Sequence, residues 1–280
     1  MSGYSTLRFE TQPIAGGGAV GRLVLDRPDK LNAFTVEMWR EMRELGAALL
    51  ADPGDLRALV VIGEGRAFSS GIDTSVFTSD RGIDEVLAGE APRHANPVIA
   101  GILAAQDAYT WLEEAPFATI AAVRGHALGA GLQLALACDI RIVARGTKLG
   151  LLEFKYGIIP DLGGTQRLPR LVGSGKAKEL IFTAARIDAE EAGRIGLAER
   201  VVADEELEEV AGDLAREIAA QPPLAVRGAK RAVNTAMSGA TVREGLLVEA
   251  EAQSECLGSD DMKEAITAFV EGRPAVYGAR

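Results

Sequence analysis

Residues 119–143 read TIAAVRGHALGAGLQLALACDIRIV, and the order of features in this stretch decides the fold. Thr119 to Val123 has the length and apolarity of a strand, Gly129 to Gly131 form a turn, Leu132 to Ala137 form a helix, and Ile140 to Val143 form another strand. Such alternation implies a parallel α/β core.

Working towards the N-terminus, Ala58 to Ile62 reads as a short buried strand, followed by the polar, glycine-containing stretch Gly63 to Asp73. Before it, Met38, Met42, Leu45 and Leu49 recur at helical spacing behind Thr35, a residue type that caps helix N-termini. Leu7 to Phe9 and Arg22 to Asp26 read as strands on either side of a turn at Gly16 to Gly18. Gly16, Gly18 and Gly21 satisfy GxGxxG, but Arg22 to Leu25 alternates like a strand where a dinucleotide site needs a helix, so that reading is rejected.

Thr74 to Asn96 is mixed and charged and is expected to be a mobile surface segment, with helical character resuming between Val98 and Glu114. Beyond about Val202 only helices are expected: Glu205 to Ala220, Leu224 to Met237, Thr241 to Cys256 and Asp260 to Gly272, with Pro222 and Pro223 breaking the first from the second. The 280 residues therefore divide into an α/β core over 1–202 and a helical portion over 203–280, a type that caps a core or makes an oligomer contact.

Composition narrows the function. With 48% hydrophobic and 25% charged residues the chain falls outside the disordered regime, and with 5% aromatics its core must be filled by Leu, Val, Ile and Ala. A net charge of −10 opposes non-specific nucleic-acid binding. Cys138 and Cys256 suggest neither a disulfide framework nor a metal site, and a reducing cytoplasm is the expected location. No secretory signal or membrane-length apolar run is legible, so a soluble protein is expected. His94 and His126 have no third ligand at metal spacing, and Ser69 and Ser70 do not form a GxSxG elbow. No metal is therefore expected, and a serine hydrolase is disfavoured.

Two glycine turns, Ser69-Ser70-Gly71-Ile72-Asp73 and Gly125-His126-Ala127-Leu128-Gly129-Ala130-Gly131, each follow an expected strand. Glycine lets a ligand approach the main chain, and a helix N-terminus offers unsatisfied N–H groups, so two such turns aimed at one oxygen make an oxyanion hole. Glu153 lies among apolar residues, where a carboxylate either has a buried partner or moves protons with a raised pKa. Asp161, between Pro160 and the glycine pair 163–164, either joins that chemistry or caps a helix beginning near Gly164.

Five motifs in order resemble the crotonase family, also called the enoyl-CoA hydratase and isomerase superfamily, over nearly the whole chain. They are Arg27-Pro28-Asp29-Lys30-Leu31-Asn32-Ala33, Ala67-Phe68-Ser69-Ser70-Gly71-Ile72-Asp73, Gly125 to Asp139, Ile159 to Leu168, and Ala268-Phe269-Val270-Glu271-Gly272-Arg273-Pro274. The resemblance implies a spiral of ββα turns with a helical trimerisation region, assembled as a homotrimer or a dimer of trimers. It implies an acyl-CoA thioester as substrate, with coenzyme A part of the substrate and no separate cofactor. The oxyanion donors carry over onto the N–H groups of Ile72 and Ala130. The coenzyme A contacts carry over onto Arg27, Lys30, Leu31, Ala33, Arg66, Ala67, Ser69, Gly71 and Asp73, with Phe269 and Arg273 of a neighbouring subunit closing over the ligand. The acyl pocket wall is expected within residues 80–114.

The resemblance also frames the reaction. The family's hydratases flank the double bond with two glutamates; Glu153 matches one, but the other position holds Gln133, which does not exchange protons at neutral pH. Gln133 either positions water or substrate or satisfies buried polar groups. Asp161, eight residues after Glu153, resembles the arrangement of dienoyl-CoA isomerases, so Glu153 and Asp161 are the expected catalytic pair and double-bond migration the expected reaction. Hydration with Gln133 holding water, thioester hydrolysis, and acyl-CoA binding without chemistry are the alternatives. Aryl-CoA dehalogenation is disfavoured because Glu153 stands where those enzymes carry tryptophan.

Overall fold

A computed structural model of the chain describes residues 3–78 and 94–278. An antiparallel hairpin of β1 (Leu7–Pro13) and β2 (Ala19–Leu25) opens the chain, so the glycine cluster is a turn between strands, as expected. Helix α1 (Val36–Ala51) starts at Thr35, whose Oγ1 accepts from Met38 N at 3.2 Å. There follow β3 (Leu56–Gly63), α2 (Ser75–Thr78), α3 (Pro97–Glu114), β4 (Ala118–Val123), β5 (His126–Leu128), α4 (Ala130–Ala137), β6 (Ile140–Ala144) and β7 (Lys148–Gly150). After a 3₁₀ turn at Glu153–Tyr156 come α5 (Gly164–Val172), α6 (Ser174–Thr183), β8 (Ile187–Asp188), α7 (Ala189–Arg194) and β9 (Arg200–Val202). Helices α8 (Leu207–Ala219), α9 (Pro223–Met237), α10 (Val242–Leu257) and α11 (Asp260–Glu271) complete the chain. Most of the segment expected to be mobile, and much of the expected pocket wall, lie outside the described residues.

The first four strands share one sheet, and from β4 onward the chain passes back and forth between two sheets. One has the order β1-β2-β3-β4-β6-β9 and is parallel from β2 onward; the other has the order β5-β7-β8. Single bridges from Ser69 to Ala127 and from Phe34 to Ile72 extend the second layer to the loops after β3 and before α1. The chain thus winds strand, strand, helix in repeated turns, which is the expected crotonase-like spiral.

The large sheet is buried on both faces, as parallel sheets are. Leu23, Leu25, Leu59, Val61, Ala121, Val123 and Val143 face α1, α3 and α4, while Val24, Ala58, Val60, Ile62, Ile120, Ala122 and Ile142 meet Leu207, Ala211, Leu214 and Ala215 of α8. Helix α8 therefore belongs to the packing of the sheet. Beyond it, α9 packs on α10 with Gly228 against Ala252, and Lys230 Nζ ties α9 to the core by donating to Leu112 O at 2.7 Å and Phe117 O at 3.0 Å.

Candidate active site

The site is assembled from the loops that leave the C-terminal ends of β2, β3 and β4. Arg27 to Ala33 and Glu64 to Asp73 are zipped together by Asn32, which is fully buried. Asn32 Nδ2 donates to Ala67 O at 2.7 Å and Glu64 O at 3.0 Å, and its Oδ1 accepts from Arg27 N at 2.9 Å. Ser69 Oγ donates to Asn32 O at 2.8 Å. Asn32 stands inside the first motif, but nothing in the sequence assigns it this task, and its positive φ of 54° within a loop leaves no local signal.

Phe34 N donates to Gly71 O at 2.7 Å and Asp73 N to Phe34 O at 2.8 Å. Both bonds of this parallel bridge skip Ile72, leaving its N–H turned the other way. Ala130 is the first residue of α4, where helix N–H groups have no intrahelical acceptor. Neither N–H has a protein acceptor among the described residues. Gly129, not a side-chain cap, precedes the helix with φ 51° and ψ −121°, which brings Ala130 and Gly131 into the helix two residues before its expected start at Leu132.

These two peptides lie side by side. A Cβ built on Gly71, whose φ is +107°, would lie 3.0 Å from Leu128 O and 3.9 Å from Ala130 N, and one on Gly129 would lie 3.9 Å from Gly71 Cα and 3.3 Å from Glu153 Oε1. Two main-chain donors and one carboxylate therefore share a neighbourhood built of glycine.

Glu153 is 6% exposed. Its Oε1 accepts from Gln133 Nε2 at 2.8 Å, while its Oε2 is buried with no partner among the described residues. Burial pushes the carboxyl pKa up, the hydrogen bonds oppose this, and the charge of Asp161 adds to the rise. Burial also pushes up the pKa of Asp161. No cap is made by the Asp161 side chain: α5 starts behind Gly163 without a side-chain cap, so that alternative falls. The carbonyl of Asp161 accepts from Gln106 Nε2 at 2.6 Å, which fixes the loop to α3. Tyr109, on the same helix, is fully buried and donated to by Trp39 Nε1 at 3.3 Å; its pKa is raised by burial and further by Asp161 and Glu153.

The remaining candidate residues fall into three groups. Ala67 and Ser69 are fully buried, and the guanidinium of Arg27 is held inside the protein by Ala33 O and by Asp73 Oδ2, the latter at 3.0 Å. Lys30 and Arg66 are exposed, with Leu31 half-buried between them and Ala33 buried. Phe269 and Arg273 lie on and just after α11; Phe269 is 87% exposed, and Arg273 is held by Glu264 and Glu271 of its own chain. A separate groove of about 870 Å³ between α3, α4, α5 and α9 contains none of the catalytic candidates.

The sequence pattern of the enoyl-CoA hydratase/isomerase family matches residues 16–280. The chain belongs to that family. It is 37% identical over 257 residues to the short-chain-enoyl-CoA hydratase of Clostridium acetobutylicum, covering 91% of this chain and 93% of the relative. It is 38% identical over 256 residues to the crotonyl-CoA hydratase of Syntrophomonas wolfei, with the same coverage. Among solved structures, an enoyl-CoA hydratase from Bacillus anthracis superimposes with a TM-score of 0.85 at 34% identity, covering 99% of this chain and all of that one. A Thermobifida fusca protein solved in complex with CoA matches with a TM-score of 0.79 at 39% identity, covering 91% and 93%. The spiral fold and the family membership expected from the five motifs are thus borne out, and the chain is an enzyme of the enoyl-CoA hydratase/isomerase family.

Proposed function

We propose that this enzyme moves the double bond of an enoyl- or dienoyl-CoA, with Glu153 as base and Asp161 as its acid partner. The observation that carries the reading is the buried Glu153 Oε2, without a partner among the described residues, beside the paired glycine turns. The thioester oxygen would sit between the N–H groups of Ile72 and Ala130. Glu153 Oε2 takes a proton from the acyl chain, and the electron pair spreads onto that oxygen as a dienolate. The two N–H groups stabilise the charge, an effect worth roughly 10²–10³ in rate per donor. Asp161, whose pKa burial raises, returns a proton at another carbon. Both carboxyls then reset by exchange with water.

Gln133 favours migration over hydration, because its carboxamide cannot act as the second acid–base and is bound at both ends. Hydration is the second reading, favoured by the hydratase names of the relatives. There Glu153 would act alone, with the remaining amide hydrogen of Gln133 holding the water. The coenzyme A moiety would run along Lys30, Leu31, Ala33, Arg66 and Gly71, an assignment supported by relatives whose structures contain CoA and acetoacetyl-CoA. Self-association, as a trimer or a dimer of trimers, is supported by the apolar side chains α10 and α11 leave exposed: Val242, Leu246, Leu247, Ile266, Phe269 and Val270.

Incubation with 2-enoyl-, 3-enoyl- and dienoyl-CoA, followed by absorbance and mass, tests the proposal. Migration conserves mass, hydration adds water, hydrolysis frees coenzyme A, and a binder leaves all three unchanged. Any outcome but the first overturns the proposed reaction.

A further inference from the structure

Gln133 lies on α4, is 1% exposed and uses both ends of its carboxamide. Its Oε1 accepts from Leu162 N at 2.8 Å and from Gly164 N at 2.9 Å. Two donors converge on one end of the amide, so that end must be the oxygen, and the nitrogen must face the other way. There it donates to Glu153 Oε1 at 2.8 Å. A Cβ on Gly164 would stand 2.9 Å from the same Gln133 oxygen, so the loop has room for this clamp only with glycine at 164.

We infer that Gln133 is a positioning residue that fixes which oxygen of Glu153 carries the proton and ties the Asp161 loop to it. The inference rests on the proposed role of Glu153. With Oε1 occupied by an amide proton that cannot leave, Oε2 is the atom left to react. The same amide grips Leu162 and Gly164, the residues on the C-terminal side of Asp161, while Gln106 grips Asp161 O from α3. Both carboxyls are thereby held in one frame. The titratable and charged groups around the clamp are Glu153 itself, Asp161 on the loop, Tyr109 on α3 and, on α5, Arg167, whose Nη1 donates to Leu162 O at 3.0 Å.

The test is a titration of the Glu153 carboxyl by infrared difference spectroscopy, the band being identified by its loss in Glu153→Gln, together with kinetics. Gln133→Met removes the donor: Glu153 should titrate about one pH unit higher, a tenfold gain in proton affinity. The acid limb of kcat/KM should move with it, and kcat should fall at least about tenfold while KM moves less than about threefold. If Gln133→Met does not fold, Gln133→Glu keeps the acceptor for Leu162 and Gly164 and sets a second carboxyl against Glu153. The last proton of that pair should then leave at higher pH than that of Glu153 in the natural protein. An unchanged titration point in the folded variant overturns the inference. Full turnover by Glu153→Gln would instead overturn the proposed base, with the infrared shift still deciding whether the clamp exists.

Discussion

Glu153 Oε1 stands 3.3 Å from the point that a Cβ on Gly129 would occupy, and Gly129 holds φ +51°, a conformation that L side chains rarely adopt. The residue that starts the Ala130 helix therefore also bounds the space of the carboxylate. Gly129→Ala should destabilise the protein by about 1–3 kcal/mol through backbone strain. It should also cut turnover by at least about tenfold, because displacing a reacting group by about an ångström costs that or more. Thermal melts and steady-state kinetics check both; a variant indistinguishable from the natural protein would show that the two groups do not constrain each other.

Glu153→Gln keeps the shape of the side chain and an oxygen to face Gln133 Nε2 but removes the base. Turnover should fall roughly 10²–10⁴-fold. Affinity for a saturated acyl-CoA, which keeps the thioester oxygen but has no double bond to move, should stay within about threefold, since Ile72 and Ala130 bind the oxygen independently. Loss of affinity in parallel with activity would make Glu153 a binding residue.

Stability should depend on pH through the same group. The carboxyl of Glu153 is raised above its ordinary value of 4.5, so the folded chain holds a proton where the unfolded chain has lost it. Stability is then fully present below that ordinary value and is lost as pH rises through the folded value. Glu153→Gln, which never ionises, should melt above the natural protein at pH 8, and the gap should close on acidification below about pH 4. Asp161→Asn should follow the same course from the ordinary value of 3.8. Melting curves across this range decide the sign, and a gap that widens in acid would mean that burial does not govern these carboxyls.

Asn32→Ala removes three hydrogen bonds of a buried side chain at once, leaving Ala67 O, Glu64 O and Arg27 N short of their partner. A buried group left unpaired costs about 1–3 kcal/mol, and such losses within one network are not additive, so about 2–4 kcal/mol in total is expected. At about 2–4 °C per kcal/mol the melting temperature should drop by roughly 4–16 °C. A drop of about a degree or less would mean that water replaces all three bonds.

Elements with local periodicity were legible in the sequence: the hairpin, the helix behind Thr35, the strand before Gly63, and all the helices after Val202. Strands of two or three residues, β5, β7, β8 and β9, are too short for alternation to register. The start of α4 was misplaced because its cap is a glycine conformation rather than a side chain. Glu153 was legible because a carboxylate among apolar residues is anomalous anywhere. The task of Asn32 was not, and for Gln133 the satisfaction of buried polar groups was legible only as an alternative without its partners, since Asn32 bonds residues 32 and 35 positions away and Gln133 bonds residues 20 to 31 positions away, and no window of sequence brings those together. That α8 packs on the sheet was also hidden, because an amphipathic helix does not announce its partner.

Asp161 separates the two proposed reactions. If it returns the proton after Glu153 has removed one, Asp161→Asn should slow double-bond migration by roughly 10²–10⁴-fold, because an amide has no proton to give. Glu153 would still remove and restore a proton at the original carbon, so in D₂O the recovered substrate should gain deuterium there without changing its double bond. In the hydration reading Glu153 works without Asp161, and hydration should stay within about tenfold of the natural rate. Mass spectrometry of the recovered thioester therefore reads out both steps in one experiment. Deuterium exchange without migration assigns Asp161 to the second proton transfer, whereas migration at the natural rate removes it from the mechanism.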